Sequence, residues 1–218
     1  MRSGWFWGTP MWQEYLQEYA KTRPECLREW KTSPLAPDDH DIEDAYLYPG
    51  MIFEEHLSQV IDLRTYKWGD VRKSYHSLIH RGQEQLEIED DKGVLSFRLA
   101  HHFAFGAVRS EKTFIIQGEW VKSGNALVVS ARKRDVLAGS VLWIIYQGCA
   151  YYASAPSLEK NVMHAIIWQS LKLLKERGIT LVELGQIDGE TEKEKNIGKF
   201  KSGWGGEAEP YTIVRRLV

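Results

Sequence analysis

Apolar and polar positions along this chain follow two rhythms, and the rhythm changes near residue 126. In the earlier part, hydrophobic residues fall three and four apart, the spacing that gives a helix one apolar face. Trp12, Tyr15, Leu16 and Tyr19 predict a helix from about residue 10 to 31, interrupted near Arg23 by Pro24. Residues 33–44 hold Pro34, Pro37, Asp38, Asp39, Asp41, Glu43 and Asp44, the composition of a solvated loop. That loop predicts an N-terminal appendage over residues 1–58 and a main domain over 59–218. Val60–Leu63 reads as a short strand. Asp70 is placed to cap a helix whose apolar stripe is Val71, Tyr75, Leu78 and Ile79, with Gly82 as its stop. Arg72, Lys73, His76, His80 and Arg81 crowd the other face. A brief strand at 86–88 and helices over 92–105 and 110–122 follow, with Gly124 closing the second.

From Ala126 onward, β-branched and aromatic residues dominate. Residues 126–130, 136–146 and 149–153 read as a three-stranded antiparallel meander, turning at Lys133-Arg134-Asp135 and Gln147-Gly148. Met163, Ile167, Leu171 and Leu174 then mark a long helix over about 159–177, stopped by Gly178. A strand at 180–184, short helical material at 193–202 and a strand at 211–217 complete the order. A meander joined to a strand–helix–strand unit predicts an α/β fold, a mixed sheet flanked by helices.

Composition narrows the class. A chain of 218 residues can bury a substantial core, and its net charge of −2 gives no whole-chain bias toward nucleic acid, though it leaves room for a local basic face. Two distant cysteines, Cys26 and Cys149, suggest neither a disulfide framework nor a metal site, so a reducing cytoplasm is the expected setting. No stretch approaches the roughly 20 apolar residues that span a bilayer, and Met1–Trp7 lacks the apolar run of a signal peptide. Trp5, Trp7 and Trp12, among nine tryptophans, either wedge the N-terminal arm onto the main domain or form a contact surface. His76 and His80 are spaced i, i+4, but no third ligand accompanies them or His101-His102, so no metal is expected.

The order from residue 126 is that of the acyl-CoA N-acyltransferase (GNAT) fold, and the local sequence narrows it. Leu184-Gly185, a polar loop, and then Ile197-Gly198-Lys199-Phe200-Lys201-Ser202-Gly203-Trp204-Gly205-Gly206 resemble the C-terminal motif of the Fem family, which transfers amino acids from aminoacyl-tRNA to peptidoglycan precursors. Glu183 stands where that family more often has Asp, and Trp204 where it more often has Phe. The resemblance runs from about residue 60 to 215 and matches the second of the family's two lobes. It implies an aminoacyltransferase whose donor is aminoacyl-tRNA and which needs no further cofactor. With the first lobe unmatched, it implies a peptide or small-molecule amine as acceptor. Monomer and homodimer both remain open.

N-acyl transfer requires a neutral amine, an activated acyl group and donors for the oxyanion. By resemblance, Lys201 stands where the acyl carbonyl meets the acceptor, and backbone amides from Tyr151 to Ser154 stand at the splayed strand. Glu183, or else Asp188 in the loop beyond it, is the candidate proton acceptor, and Tyr151 or Tyr152 the candidate proton donor to the leaving hydroxyl. Phe200 either stacks on a terminal adenine or fills the core. Arg72, Lys73 and Arg81, a hairpin trio Arg132-Lys133-Arg134, and the group that includes Lys199 supply cations for tRNA phosphates, with Trp204 a further donor contact. Pro156–Asn161 lacks the glycine-rich turn that holds a coenzyme A pyrophosphate, and Glu159 would repel phosphate. A coenzyme A- or carrier-dependent acyltransferase and a non-catalytic binding module are the alternatives.

Overall fold

The computed structural model describes residues 29–31 and 51–216. Strands are β1 Glu29–Lys31, β2 Met51–Asp62, β3 Glu87–Asp91, β4 Ala126–Lys133, β5 Val136–Tyr146, β6 Cys149–Ser154, β7 Leu181–Gln186 and β8 Glu207–Arg216. Helices are α1 Lys73–Gln85, α2 Leu95–Phe105, α3 Glu111–Ser123, α4 Val162–Glu176 and α5 Glu192–Ser202. This is the mixed α/β architecture expected of a GNAT-like fold. The chain divides into two compact units: the first includes the chain up to Val60, Gly185–Lys201 and the segment from Glu207, and the second comprises Ile61–Leu184 and Ser202–Gly206.

In the second unit the sheet order is β7-β6-β5-β4-β3. The meander is antiparallel, and β7 joins it parallel to β6. Both hairpins close with two residues at positive φ, Arg134 and Asp135 at 49° and 64°, Gln147 and Gly148 at 45° and 78°, the geometry that matches strand twist. Helices cover both faces. Ala126, Val128 and Leu142 meet Phe97 of α2 and Phe114 of α3 in one cluster. On the opposite face Gly139 leaves room for Val162 and Ile166 of α4, atoms of which lie 3.2 and 3.3 Å from where a Cβ would stand. Met163, Ile166, Ile167, Leu171 and Leu174 are all buried, as the helical spacing predicts. Ser110 caps α3 by accepting from the Thr113 amide at 3.3 Å, and Gly124 ends that helix in the left-handed region.

In the first unit β8 lies between β1 and β2, antiparallel to both. Here the structure departs from the local pattern. The helix expected over 10–31 falls mostly outside the described residues, but its last three, Glu29–Lys31, form a strand paired with Ile213–Arg215. Pairing with a neighbouring strand overrides local periodicity. The strand expected at 60–63 is the end of a twelve-residue β2 whose ladder to β8 runs from Met51↔Arg216 to Val60↔Glu207, so the boundary drawn at 58–59 falls inside a strand. Trp5, Trp7, Trp12, Cys26 and the acidic loop at 33–44 lie outside the described residues.

Two capping expectations are also corrected. Asp70 caps a 3₁₀ turn, Trp68–Asp70, by accepting from the Lys67 amide at 2.8 Å, and Arg72 is the residue that precedes α1. Gly82 does not stop α1. It sits within the helix because a Cβ there would come 2.4 Å from the Cβ of Ala165, so this glycine sets how closely α1 packs on α4.

His101 of α2 is 3% exposed among Phe97, Phe105 and Phe114. Burial, with the positive charge of Arg109 as a second cause, lowers its pKa from 6.5 to about 4. The fold therefore favours the neutral ring: this contribution is intact above pH 6.5 and is lost as the medium acidifies through that window toward the folded value. His164, lowered mainly by burial, acts in the same direction. Urea midpoints should fall between about pH 7.5 and about pH 5, and His101→Leu should shrink that fall.

Candidate functional site

In the first unit, the site is built at the C-terminal end of β7. Thr191 and Glu194 form a reciprocal capping box that starts α5: the Glu194 amide donates to Thr191 Oγ1 at 3.2 Å, and the Thr191 amide donates to the Glu194 carboxylate at 2.9 Å. These hydrogen bonds, the backbone one first, hold the Glu194 carboxyl below its usual range. One turn further, a Cβ at Gly198 would lie 2.1 Å from the carbonyl oxygen of Ile187. Only glycine lets the helix approach that backbone, and the approach brings Lys201 into place. Its Nζ donates to the carbonyl oxygen of Gln186 at 3.0 Å, half-buried at the strand end. Lys199 is exposed and Phe200 half-buried on the same helix.

The side chain of Gln186 extends the cluster. Its Nε2 lies 3.0 Å from His56 Nδ1 on β2, and the same Nδ1 lies 3.3 Å from Asp188 Oδ2. A neutral Nδ1 accepts from the amide, whereas a protonated one donates to the carboxylate, so the two contacts serve alternative states of the ring. Glu54 Oε2 stands 3.6 Å from His56 Nε2, and the ring lies against Tyr211 at 5.6 Å between centroids. The structure thus brings together Lys201 and Asp188, through Gln186 and His56. Sequence reading missed His56 and Gln186. His56 lies 132 positions before Asp188, and no local pattern marks it.

The second unit holds the other candidates. β6 and β7 pair only at Cys149↔Leu181, Ala150↔Val182 and Tyr151↔Glu183. β6 continues to Ser154 beyond the last of these pairs, so the parallel ladder ends where the splay was expected. Tyr151 and Ser154 are half-buried there. Burial holds the hydroxyl of Tyr152 above the ordinary tyrosine range, its ring edge-on to Trp143 at 5.3 Å. Glu183 is 1% exposed, and its charge adds to burial in raising the Cys149 thiol. Arg72, Lys73 and Arg81 are exposed on or beside α1, with the Arg72 guanidinium 5.4 Å from the centre of the Tyr75 ring.

Trp204 corrects an expectation. It is fully buried, its ring 5.6 Å from Tyr75 and 6.3 Å from His164, so it has no surface to offer a donor. The glycines beside it have packing reasons. A Cβ at Gly203 would strike the Tyr75 ring, and Gly205, at φ +79°, lies against the Asp70 carbonyl. The Gly203 carbonyl accepts from the Arg72 amide at 2.9 Å. His76 Nε2 lies 3.0 Å from the Val71 carbonyl oxygen, its ring stacked on Trp68 at 4.1 Å. Among the described residues no group of three or more His, Cys, Asp or Glu is gathered to hold a metal ion.

No family model matches the chain, and no curated protein matches it. Solved structures do. The C-terminal domain of a protein assigned as a lysylphosphatidylglycerol synthetase from Agrobacterium fabrum matches with TM-score 0.66 at 15% identity, over 100% of this chain and 79% of that one. FemX matches with TM-score 0.62 at 11% identity, over 91% and 75%. A GCN5-related N-acetyltransferase from Kribbella flavida matches with TM-score 0.55 at 12% identity, over 98% and 78%. The chain therefore has the fold of a single Fem/GNAT-like lobe, shared by acyltransferases. Among the described residues no helix is long and apolar enough to cross a membrane.

The glycine at 198 is open to a direct test. Alanine would gain about 0.5–1 kcal/mol of helix propensity, but its Cβ would meet a backbone oxygen that cannot swing aside. Gly198→Ala should therefore be net destabilising by about 1–3 kcal/mol, read as a lower urea midpoint at unchanged slope.

Proposed function

We propose that this protein is an N-acyltransferase that moves an amino acid from aminoacyl-tRNA to the amine of a peptide or small-molecule acceptor. The observation that carries the reading is the Lys201 ammonium held at the end of β7, joined through Gln186 and His56 to the Asp188 carboxylate. A fixed cation there stabilises the oxyanion that forms as the amine nitrogen attacks the ester carbonyl. Asp188, 30% exposed, takes the proton the amine loses, and His56 holds that carboxylate in position. The new C–N bond forms, the ester C–O bond breaks, and the departing ribose hydroxyl leaves protonated. The proton that Asp188 collects from the amine balances the one that the departing ribose oxygen takes up.

The donor assignment draws support from the loop before α4. Its Leu158 and Glu159 amides both donate to the Ala138 carbonyl, at 2.9 and 3.2 Å, and Lys133 holds the Glu159 carboxylate at 2.8 Å. Amides engaged in this way do not form a pyrophosphate cradle. Exposed Arg72, Lys73, Arg81 and Lys199 suit a phosphate backbone.

Isotope-labelled aminoacyl-tRNA and a panel of amines should give protein-dependent amide product. Lys201→Ala should lower turnover by about 10²–10³-fold. Turnover with acetyl-CoA and none with any aminoacyl-tRNA would overturn the donor assignment. Asp188→Asn should cut turnover by about 10²-fold or more while leaving tRNA affinity unchanged.

A further inference from the structure

Helix α2 has two apolar sides. Phe97, Ala100 and His101 face the core, while Leu95, Leu99 and Phe103, four residues apart, share the outer side. Leu95 is 66% exposed and Phe103 71% exposed. The outer face continues past the helix end: Phe105 and Val108 are each 51% exposed, and Phe103–Val108 contains no polar side chain. Gly106, at φ 74°, ends the helix and turns the chain at this tip. Among the described residues nothing covers this surface, and helix packing within the second unit gives no reason for its composition.

Charge says what covers it. Residues 95–112, the helix and the turn beyond it, carry three cations (Arg98, Arg109, Lys112) and one acid (Glu111), a net of +2, in a chain of net −2, so the remainder carries −4. Arg98 is paired with Glu111 at 2.6 Å, and Lys92 with Asp90 at 2.8 Å. Lys112 is exposed, and Arg109 lies against Phe97 immediately after the tip. An apolar tip of Phe, Leu and Val beside such cations matches the depth profile of an anionic lipid surface, with apolar groups among acyl chains and cations at the headgroups.

We infer that the outer face of α2 and the Phe103–Val108 turn form a docking surface for an anionic bilayer. This stands independently of the acyl-transfer reading, because it needs no catalysis to be observed. The full chain is sedimented with phosphatidylcholine vesicles, either pure or containing about 30% phosphatidylserine. Binding should require the anionic lipid and weaken with salt. Leu95→Ser combined with Phe103→Ser should lower the partition coefficient by about tenfold or more, with circular dichroism unchanged because these side chains are 66% and 71% exposed. Absence of binding, equal binding to both vesicle types, or binding unaffected by the double variant overturns the proposal. So does a concentration-dependent dimer in solution that the double variant abolishes, since the face would then belong to a second copy.

Discussion

The approach of α5 to the carbonyl of Ile187 fixes where the cation at position 201 stands. A helix carries its backbone about 3 Å inside the outer surface of its side chains, so side chains ordinarily hold it away from the strand it follows. The glycine at 198 removes that spacing at one point, and the Thr191–Glu194 box sets the helix start so that the same face reaches Gln186. The Lys201 ammonium then lies against a carbonyl dipole at 3.0 Å, which restricts a side chain that otherwise keeps much of its rotamer freedom. A cation fixed in advance stabilises developing charge without first having to be ordered.

The motif that drew attention in the sequence thus has two jobs. Ile197 to Lys201 carries the cation, whereas Gly203-Trp204-Gly205 in the second unit is architecture. The carbonyl of Trp204 accepts from the Tyr66 hydroxyl, and its ring fills space beside Tyr75 and His164. Burial raises the Tyr66 hydroxyl well above its ordinary range, which keeps it the protonated donor that this contact needs. In sequence Trp204 reads as a contact for the donor. Its surroundings make it a buried plug.

Sequence legibility followed the range of the interactions. The meander, α4 and the close of α3 are set by local pattern and turn chemistry, and all stand near the residues expected. β1 and most of β2 were illegible because their order comes from a ladder with β8, about 150 to 190 residues away along the chain. Gly82 was misread because glycine ends helices and also lets helices touch, and only the presence of Ala165 decides between these. Lys201 could be proposed from a motif, and Asp188 as the alternative to Glu183 in the loop beyond it. His56 could not, since Glu54-Glu55-His56-Leu57 carries no spacing that singles it out.

The same limit applies to the two candidate carboxylates. From sequence, Glu183 and Asp188 were equivalent: one at a strand end, one just beyond. In the fold Glu183 is 1% exposed and opposite Tyr151 in a parallel ladder, so its carboxylate has almost no contact with solvent. Asp188 is 30% exposed and touches an imidazole that can accept or donate. A base that collects a proton from a substrate and returns it to solvent needs solvent access, so the exposure of Asp188 is what favours it for the proposed role. Burial, with the nearby Glu183 charge as the second cause, raises the Cys149 thiol above its ordinary range, which leaves it the less nucleophilic protonated form.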